Sequence, residues 1–120
     1  MMLDVDRQFF LGFIKIHILH HASEKPVYGQ WLMEELARHG YRMSPGTLYP
    51  VLHALEEQGY LRSSREVVEG KARRYYTLTG KGKQALRASK DKIRELVNEV
   101  LSEEDAPVAR RDGKRGRGGR

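Results

Sequence analysis

The chain of 120 residues contains no cysteine, and this absence excludes several kinds of structure and chemistry. Without thiols there is no disulfide framework, no zinc finger of the cysteine type and no thiol nucleophile. Common enzyme signatures are missing as well: a nucleophile elbow, a phosphate-binding loop, a dinucleotide fingerprint and paired carboxylates at a catalytic spacing. Glu34 and Glu35 are adjacent on an expected helix, so their side chains diverge. We therefore expect a protein that is not an enzyme and that uses no cofactor.

Long hydrophobic runs are also missing. The longest apolar stretch, FFLGFIKIHIL from Phe9 to Leu19, is interrupted by Lys15 and His17. It is too short to span a bilayer, and no small-residue cleavage site follows it. With 39% hydrophobic residues, the chain has enough apolar material for one core of ordinary single-domain size. We expect a cytoplasmic, single-domain protein that does not associate with a membrane.

Positive charge is unevenly distributed along the chain. The formal net charge is +6. The segment Ala106–Arg120 alone carries +5, which leaves +1 for residues 1–105. This segment is rich in Gly and Arg and has no hydrophobic periodicity, so residues 103–120 are expected to form a disordered basic tail. Nucleic-acid binding by the folded part must therefore be judged from where its charges lie.

Hydrophobic periodicity and turn residues predict a mainly α-helical fold with one small β-hairpin. The expected helices run from about Asp4 to His21, from Tyr28 to His39, from Ser44 or Thr47 to about Gly59, and from Gly80 to Leu101. The expected strands are Leu61–Val68 and Arg73–Leu78, with Glu69–Ala72 as the tip between them and Ser23–Val27 as a loop. The first helix is apolar around much of its circumference, which predicts burial on more than one side.

The second and third helices are separated by a short turn. Gly40 is the expected end of the second helix, and only Gly40–Met43 precede Ser44. Helix, short glycine-containing turn and helix is the pattern of a DNA-binding helix-turn-helix. Two starts remain open for the third helix, because Ser44 can cap it with Pro45 in first position, whereas Thr47 as the cap would put Pro50 in the first turn.

The third helix has one apolar face and one face without hydrophobic residues. Leu48, Val51, Leu52 and Leu55 recur at helical spacing and predict the buried face. The opposite face carries small and hydrogen-bonding residues: Gly46, Thr47, Tyr49, Pro50 and His53. Side chains of this kind can enter a DNA groove and contact phosphates or base edges. The alternative is an ordinary solvated helix surface.

Basic residues cluster at the predicted hairpin. Lys71, Arg73 and Arg74 lie at and just after its tip, where side chains can reach phosphates. Strand alternation puts Arg73 and Arg74 on opposite faces, so one is expected to grip a phosphate and the other to flank the core. Tyr75 and Tyr76 divide in the same way, with one expected to be structural. A solvated charge run explains the cations alone, but not their position after a helix-turn-helix.

The last helix has the spacing of a helix-pairing seam. Thr79 can cap this helix, and Leu86, Ile93 and Val100 repeat every seven residues, with Val97 in the intervening position. The seam is too short for a sustained coiled coil. We therefore expect a dimer contact that it shares with the first helix, through Phe9, Phe10 and Phe13.

The histidines of the first helix can be considered as metal ligands. His17, His20 and His21 have the spacing of one helix face. Two or three histidines on one helix hold a divalent ion well only with further ligands, and no carboxylate is fixed beside them by the sequence. His39 and His53 are interpreted as isolated. No metal site is predicted.

Taken together, these motifs resemble the PadR-type winged-helix transcriptional regulators. The resemblance rests on Tyr28 and Gly29 at the second helix, on PGTLYPVLHALEEQGYL from Pro45 to Leu61, and on EGKARRYYTLTGKG from Glu69 to Gly82. It covers roughly residues 5–101. The single long helix that follows resembles the short subfamily.

The resemblance implies a winged helix-turn-helix domain over residues 1–79, a dimerisation helix over 80–102 and a homodimeric repressor of a pseudo-palindromic operator. Its third helix would lie in the major groove, and its wing would lie over the adjacent backbone or minor groove. The candidate DNA-contacting residues are Tyr28, Ser44, Gly46, Thr47, Tyr49, His53, Lys71, Arg73 and Arg74.

Some members of the short subfamily bind flat aromatic compounds at the dimer interface. This chain differs, because its last helix contains no aromatic residue between Gly80 and Leu101. A small hydrophobic or aromatic effector against Phe9, Phe10 and Phe13 stays open beside the interpretation of these residues as core or dimer contact. Two other functions also stay open: a non-specific architectural DNA- or RNA-binding protein driven by its Arg/Gly tail, and a dimerisation adaptor.

Overall fold

The computed structural model describes residues 4–101 and confirms a mainly α-helical fold with a small antiparallel sheet. The elements in chain order are α1 (Asp4–Glu24), β1 (Val27–Tyr28), α2 (Gly29–Arg38), α3 (Pro45–Glu57), β2 (Leu61–Val68), β3 (Lys71–Leu78) and α4 (Gly80–Val100). Within these residues no helix is both long and apolar enough to cross a membrane. The predicted basic tail, residues 103–120, lies outside the described residues.

The predicted hairpin forms, with a tighter tip than expected. β2 and β3 pair antiparallel from Leu61 opposite Leu78 to Val68 opposite Lys71. Only Glu69 and Gly70 form the turn, and their φ angles of 52° and 78° are both positive, as a type I′ turn requires. Lys71 and Ala72 therefore belong to β3 and not to the tip. The prediction of a four-residue tip was wrong because Glu at a positive φ is unusual and leaves no sequence signal.

A two-residue strand, β1, completes the sheet in the order β1-β3-β2. Val27 pairs with Tyr76, and Tyr28 pairs with Tyr75. The sequence predicted a loop through Val27 and placed Tyr28 inside the second helix. Tyr28 instead has the extended φ of −131° and precedes the helix, which begins at Gly29. Two residues are too few to show strand alternation, so only the pairing with β3 reveals β1.

The core of the unit up to Ala88 lies between α1, α2, α3 and the sheet. The apolar face predicted for α3 is confirmed, since Leu48, Val51, Leu52 and Leu55 are all buried. The other buried hydrophobic residues are Ile14, Ile18, Leu19, Ala22, Val27, Leu32, Leu36, Leu61, Tyr76 and Leu86. Each large aliphatic side chain that is fully buried contributes about 1.5–3 kcal/mol. Burial of these residues fixes α3 against the sheet and leaves its other face outward.

Glycines end α2 and α3 as the sequence predicts. Gly40 and Gly59 have φ angles of 90° and 88°. After α3, the Tyr60 amide donates to the Leu55 carbonyl and the Gly59 amide to the Glu56 carbonyl, each at 2.9 Å. These two bonds form a Schellman motif, which satisfies carbonyls that the helix leaves free. The same pair of bonds closes α2 at Gly40.

The start of α3 resolves the choice between two caps. Ser44 is the N-cap in extended conformation, and Pro45 is the first helical residue. The Ser44 carbonyl accepts the amides of Thr47 and Leu48, both at 3.0 Å. Pro50 therefore lies inside the helix and cannot donate a bond to the preceding turn. Because this turn of the helix is exposed, water can hydrogen-bond the carbonyl that Pro50 leaves without a donor, and the loss of helix stability is small.

Thr79 caps α4 as predicted. Its hydroxyl accepts the amide of Gly82 at 3.0 Å and donates to the Gly59 carbonyl at 2.6 Å. The chain divides after Ala88 into two compact units. In the second unit, residues 90–101 are all exposed, and Arg94 pairs with Asp91 at 3.0 Å.

Candidate nucleic-acid interface

The outward face of α3 presents the polar residues that its sequence pattern predicts. Gly46, Thr47, Tyr49, Pro50 and His53 are all exposed, as is the capping residue Ser44. The hydroxyls of Ser44 and Thr47 lie 3.4 Å apart. This face is free of core contacts because the apolar positions of the helix are used on the other side.

A groove of about 280 Å³ lies between α3, the start of α2 and β3. It is lined by Tyr28, Gly29, Gln30, Tyr49, Lys71, Ala72, Arg73 and Arg74. Five of these are residues that the sequence proposes for DNA contact: Tyr28, Tyr49, Lys71, Arg73 and Arg74. The fold thus brings one residue of α3, one of β1 and three cations of β3 to a single concave surface. Ser44, Gly46, Thr47 and His53 lie outside this lining, on the exposed face of α3.

Gly29 sets how closely Tyr49 can approach α2. The backbone of Gly29 is buried, and a Cβ atom built there would lie 2.5 Å from Cζ of Tyr49 and 2.9 Å from its Cε1, and would overlap its hydroxyl. No side chain larger than hydrogen fits while the Tyr49 ring stays in place. The absence of a side chain at Gly29 therefore leaves the space that the Tyr49 ring occupies in the groove.

Arg73 lies over an aromatic ring. Its guanidinium carbon is 4.4 Å from the ring centroid of Tyr28, and the Tyr28 ring contacts Tyr75 edge-on at 5.3 Å. Stacking on tyrosine restrains the planar guanidinium without using its N–H groups. Because β1 carries Tyr28 to the side of β3, this stack depends on the strand that the sequence did not predict.

Arg74 lies on the opposite strand face and belongs to a hydrogen-bonded chain. Its Nη1 donates to Oγ of Ser63 at 3.1 Å. Oε2 of Glu56 accepts the hydroxyl of Ser63 at 2.7 Å and the amide of Ser63 at 3.2 Å. Glu56 is near the end of α3 and Ser63 is in β2, so the chain joins the helix to the wing. The sequence did not reveal Glu56 or Ser63, because their contact arises only from the fold.

Tyr75 and Tyr76 divide as strand alternation predicts. Tyr76 is fully buried, whereas Tyr75 is only half-buried and faces Tyr28. Burial raises the pKa of Tyr76 above its ordinary value, and the charge of Glu56 raises it further. The Tyr76 phenol therefore stays neutral at physiological pH and serves the core.

The residues proposed for dimerisation do not share one environment. Phe9 and Phe13 are 67% and 36% exposed and stack at 5.9 Å, while Phe10 packs on Tyr41. Leu86, which the heptad spacing assigned to the seam, is instead 5% exposed and lies in the core of its own chain. Ile93, Val97 and Val100 are exposed, and their place in a dimer contact stays a prediction.

His39 is not isolated, contrary to the sequence interpretation. Its ring centroid lies 5.3 Å from that of His17, although His39 follows α2 and His17 is in α1. Packing of one helix on the other brings these histidines together, which spacing along a single helix could not show.

Comparison with known proteins agrees with this architecture. The Transcriptional regulator PadR-like family matches residues 18–88. Transcriptional regulator Rv3488 of Mycobacterium tuberculosis is 52% identical over 95 residues, which cover 79% of this chain and 89% of that protein.

Solved structures agree as well. The PadR family transcriptional regulator from Eggerthella lenta DSM 2243 matches at 31% identity with a TM-score of 0.67, over 81% of this chain and 89% of that one. A Streptococcus transcriptional regulator matches at 26% identity with a TM-score of 0.71, over 78% and 93%. With its helix-turn-helix formed by α2 and α3 and its wing by β2 and β3, this chain belongs to the PadR-like family of transcriptional regulators.

Proposed function

We propose that the protein is a homodimeric repressor that binds a pseudo-palindromic operator through α3 and the β2–β3 wing. The observation that carries this proposal is the groove, in which Tyr49 of α3 lies with the cations Lys71, Arg73 and Arg74 of β3. A reading helix beside a basic wing can contact base edges and phosphates together.

The two parts of the surface would make different contacts. On α3, Thr47, Tyr49 and His53 can hydrogen-bond base edges or phosphates, and Ser44 and Gly46 at its start are small enough for the backbone to approach closely. Phosphate contacts position a protein on DNA, whereas base contacts select the sequence. We therefore assign sequence selection to α3.

The wing cations would hold the phosphate backbone, and because Arg73 and Arg74 both line the groove, this role is proposed for both and not for only one of them. Arg73 is restrained by Tyr28 and Arg74 by Ser63, so both guanidinium groups are partly ordered before DNA arrives. Ordering of a long side chain on binding costs about 0.5–1.5 kcal/mol, and restraint in the free protein lowers this cost. Lys71, at the first position of β3, extends the positive surface to the wing tip.

Exposed apolar residues support the dimer. α1 carries the stacked Phe9 and Phe13. The second unit carries four apolar side chains that are between 41% and 59% exposed: Ile93, Leu96, Val97 and Val100. Apolar side chains grouped at helical spacing favour a contact with another chain over a solvated surface. A two-fold dimer would present two reading helices about 34 Å apart, one helical turn of DNA. An aromatic effector beside Phe9 and Phe13 remains a prediction.

The proposal is tested by fluorescence anisotropy with the full chain. The duplexes are the DNA upstream of its own gene and a scrambled sequence of the same composition, at about 150 mM salt, where weak surface attraction is screened. We expect a preference of about a hundredfold or more for the upstream duplex.

The same titration separates the repressor from the architectural alternative. Deletion of Ala106–Arg120 should preserve the preference for the upstream duplex and lower mainly the salt-sensitive background affinity. Equal affinity for both duplexes, lost on this deletion, would refute a sequence-specific regulator and favour binding driven by the tail.

A further inference from the structure

Three histidines, two from α1 and one that follows α2, lie close together. His17 and His21 lie one turn apart on α1, and His39 directly follows α2. Each offers a ring nitrogen, and these nitrogens lie within 4.8 Å of one another. Histidines that come from separate elements and bring their ring nitrogens this close resemble a ligand set more than a surface charge cluster.

The carboxylate of Glu35 in α2 lies beside this cluster. Its Oε2 is 3.4 Å from Nε2 of His39 and 3.8 Å from Nε2 of His21. Its other oxygen, Oε1, pairs with Arg38 at 3.1 Å, and the carboxylate is mostly buried. One oxygen is thus held by an arginine and the other faces two imidazoles.

The pKa of His17 is lowered in this cluster. Burial lowers the pKa of His17, and the neighbouring His39, His21 and His20 lower it further, against the opposite effect of Glu35. A neutral His17 at physiological pH keeps a free lone pair, and neutral imidazole is the form that binds metal ions.

The donor set defines the class of ion. Three imidazole nitrogens and one carboxylate oxygen, with no thiolate in the chain, suit Zn²⁺ or a neighbouring first-row ion such as Ni²⁺ or Co²⁺. A tetrahedral zinc site has metal–nitrogen bonds of about 2.0–2.1 Å, which separate its donors by about 3.3 Å. The present nitrogens need to close by at most about 1.5 Å, and rotation of the half-exposed His39 ring can supply this movement.

A second group shares one of these histidines. His20, His21 and Glu24 also bring their donor atoms within 4.8 Å of one another. All three lie on a single turn of α1, and the Glu24 side chain is 57% exposed, against 14% for Glu35. An exposed, flexible carboxylate loses more entropy when it is ordered. The group that includes His39 therefore loses less side-chain entropy when it binds an ion.

We propose that His17, His21, His39 and Glu35 bind a divalent transition-metal ion that joins α1 to the C-terminal end of α2. The evidence for this metal site does not depend on the proposed DNA binding. Because α2 also carries Gly29, which contacts Tyr49, we further infer that the ion adjusts the position of α2 and thereby operator affinity. This second step rests on the proposed function.

The test is a calorimetric titration of Zn²⁺ into the untagged full chain after chelator treatment, near pH 7.5, where most imidazoles are neutral. His39→Ala and His17→Ala should each weaken Zn²⁺ binding by at least about tenfold. Mutation of a residue that only hydrogen-bonds to a metal ligand already lowers metal affinity by about this factor, so loss of a ligand should cost at least as much. His20→Ala is the matched control and should bind as the wild type does. The opposite result, with His20→Ala deficient and His39→Ala normal, would assign binding to the other group and overturn the proposal.

Cobalt provides a second readout that does not depend on stability. Co²⁺ bound by three nitrogens and one oxygen in a tetrahedral site absorbs strongly in the visible range, and Glu35→Gln should change this spectrum. The spectrum of a merely adventitious ion would be the same in every variant, and this result would also refute the site.

Coupling to DNA is measured separately. Operator anisotropy is compared with and without Zn²⁺ for the wild type and His39→Ala. A metal-dependent shift in wild-type affinity that is absent in His39→Ala supports the coupling. Zn²⁺ binding without this shift would overturn the coupling and leave the metal site intact. Failure of the protein to bind any operator would contradict the proposed function, while the calorimetric result would stand.

Discussion

Gly29→Ala is expected to damage DNA binding while leaving the fold intact. The new Cβ would overlap the hydroxyl end of the Tyr49 side chain. Tyr49 is 36% exposed, so its ring can turn toward solvent without movement of the buried backbone. The methyl group therefore displaces Tyr49 from the groove, and the helix that carries it stays in place.

The magnitudes favour a small change in stability. Alanine is better than glycine inside a helix by up to about 1 kcal/mol, and the gain is smaller at the first position. Forcing a side chain away from its preferred rotamer costs about 0.5–1.5 kcal/mol. These effects nearly cancel, so the free energy of unfolding should change by less than about 1 kcal/mol. If Tyr49 makes a base contact or a paired backbone contact, its displacement should cost about 1–3 kcal/mol of operator preference.

A double-mutant cycle identifies the cause of any loss. Operator affinity is measured by anisotropy for Gly29→Ala, Tyr49→Ala and the double variant, and stability by urea denaturation. If Gly29→Ala acts through Tyr49, it should cause no further loss when Tyr49 is already alanine. An equal loss in both backgrounds would refute the steric reasoning. Gly80→Ala is the control, since Gly80 also begins a helix and a Cβ there meets nothing within 4 Å.

Three further predictions concern other parts of the chain. Replacing Arg73 and Arg74 with Ala should weaken binding to all DNA and flatten the dependence of log K on log salt by about one to two units, and an unchanged slope in a folded variant would remove the wing from the interface. Ile93→Asp should give monomers in light scattering, whereas Lys90→Asp on the same helix should leave the oligomeric state unchanged. Glu56→Ala removes two hydrogen bonds between α3 and β2 and should lower the free energy of unfolding by about 1–3 kcal/mol in urea melts; no change would mean that solvent replaces this acceptor.

Elements with strong local signals were predictable from the sequence. The buried face of α3 follows from apolar residues at helical spacing, and the ends of α2 and α3 follow from Gly40 and Gly59, which adopt positive φ without steric cost. β2 was predicted at its observed bounds, since both flanks carry turn residues. These features depend on residues that are near one another in the chain.

Features that depend on tertiary contacts were not predictable in the same way. The heptad spacing treated Leu86 and Ile93 alike, although Leu86 packs into the core and Ile93 is exposed. Spacing shows which residues share a face, but not which turn of a helix is covered by the rest of the fold. His39 was likewise separated from His17 because their proximity requires the packing of two helices.

The sequence predicted the main polar residues of the candidate groove, but not the contacts that hold them in position. Tyr49 and the wing cations could be selected from the sequence because they were expected on the exposed face of a helix-turn-helix and on a hairpin. The roles of Gly29, Tyr28 and Ser63 as supports could not. Gly29 leaves room for Tyr49, Tyr28 stacks on Arg73, and Ser63 joins Glu56 to Arg74. These contacts form between residues that lie in different helices and strands, so they can be recognised only in the folded structure.

The pairing of β1 with β3 has a consequence for how the protein folds. Val27 must find Tyr76 across the whole of α2, α3 and β2, so the sheet is completed by a contact between distant parts of the chain. Closing such a long loop is entropically costly and follows the formation of local structure. We therefore expect the hairpin to form early and β1 to dock on it after the helices between them have packed. On this reasoning the side of the groove formed by Tyr28 is completed late in folding, and a chain in which Val27 has not yet paired with Tyr76 has a wing but only part of the candidate groove.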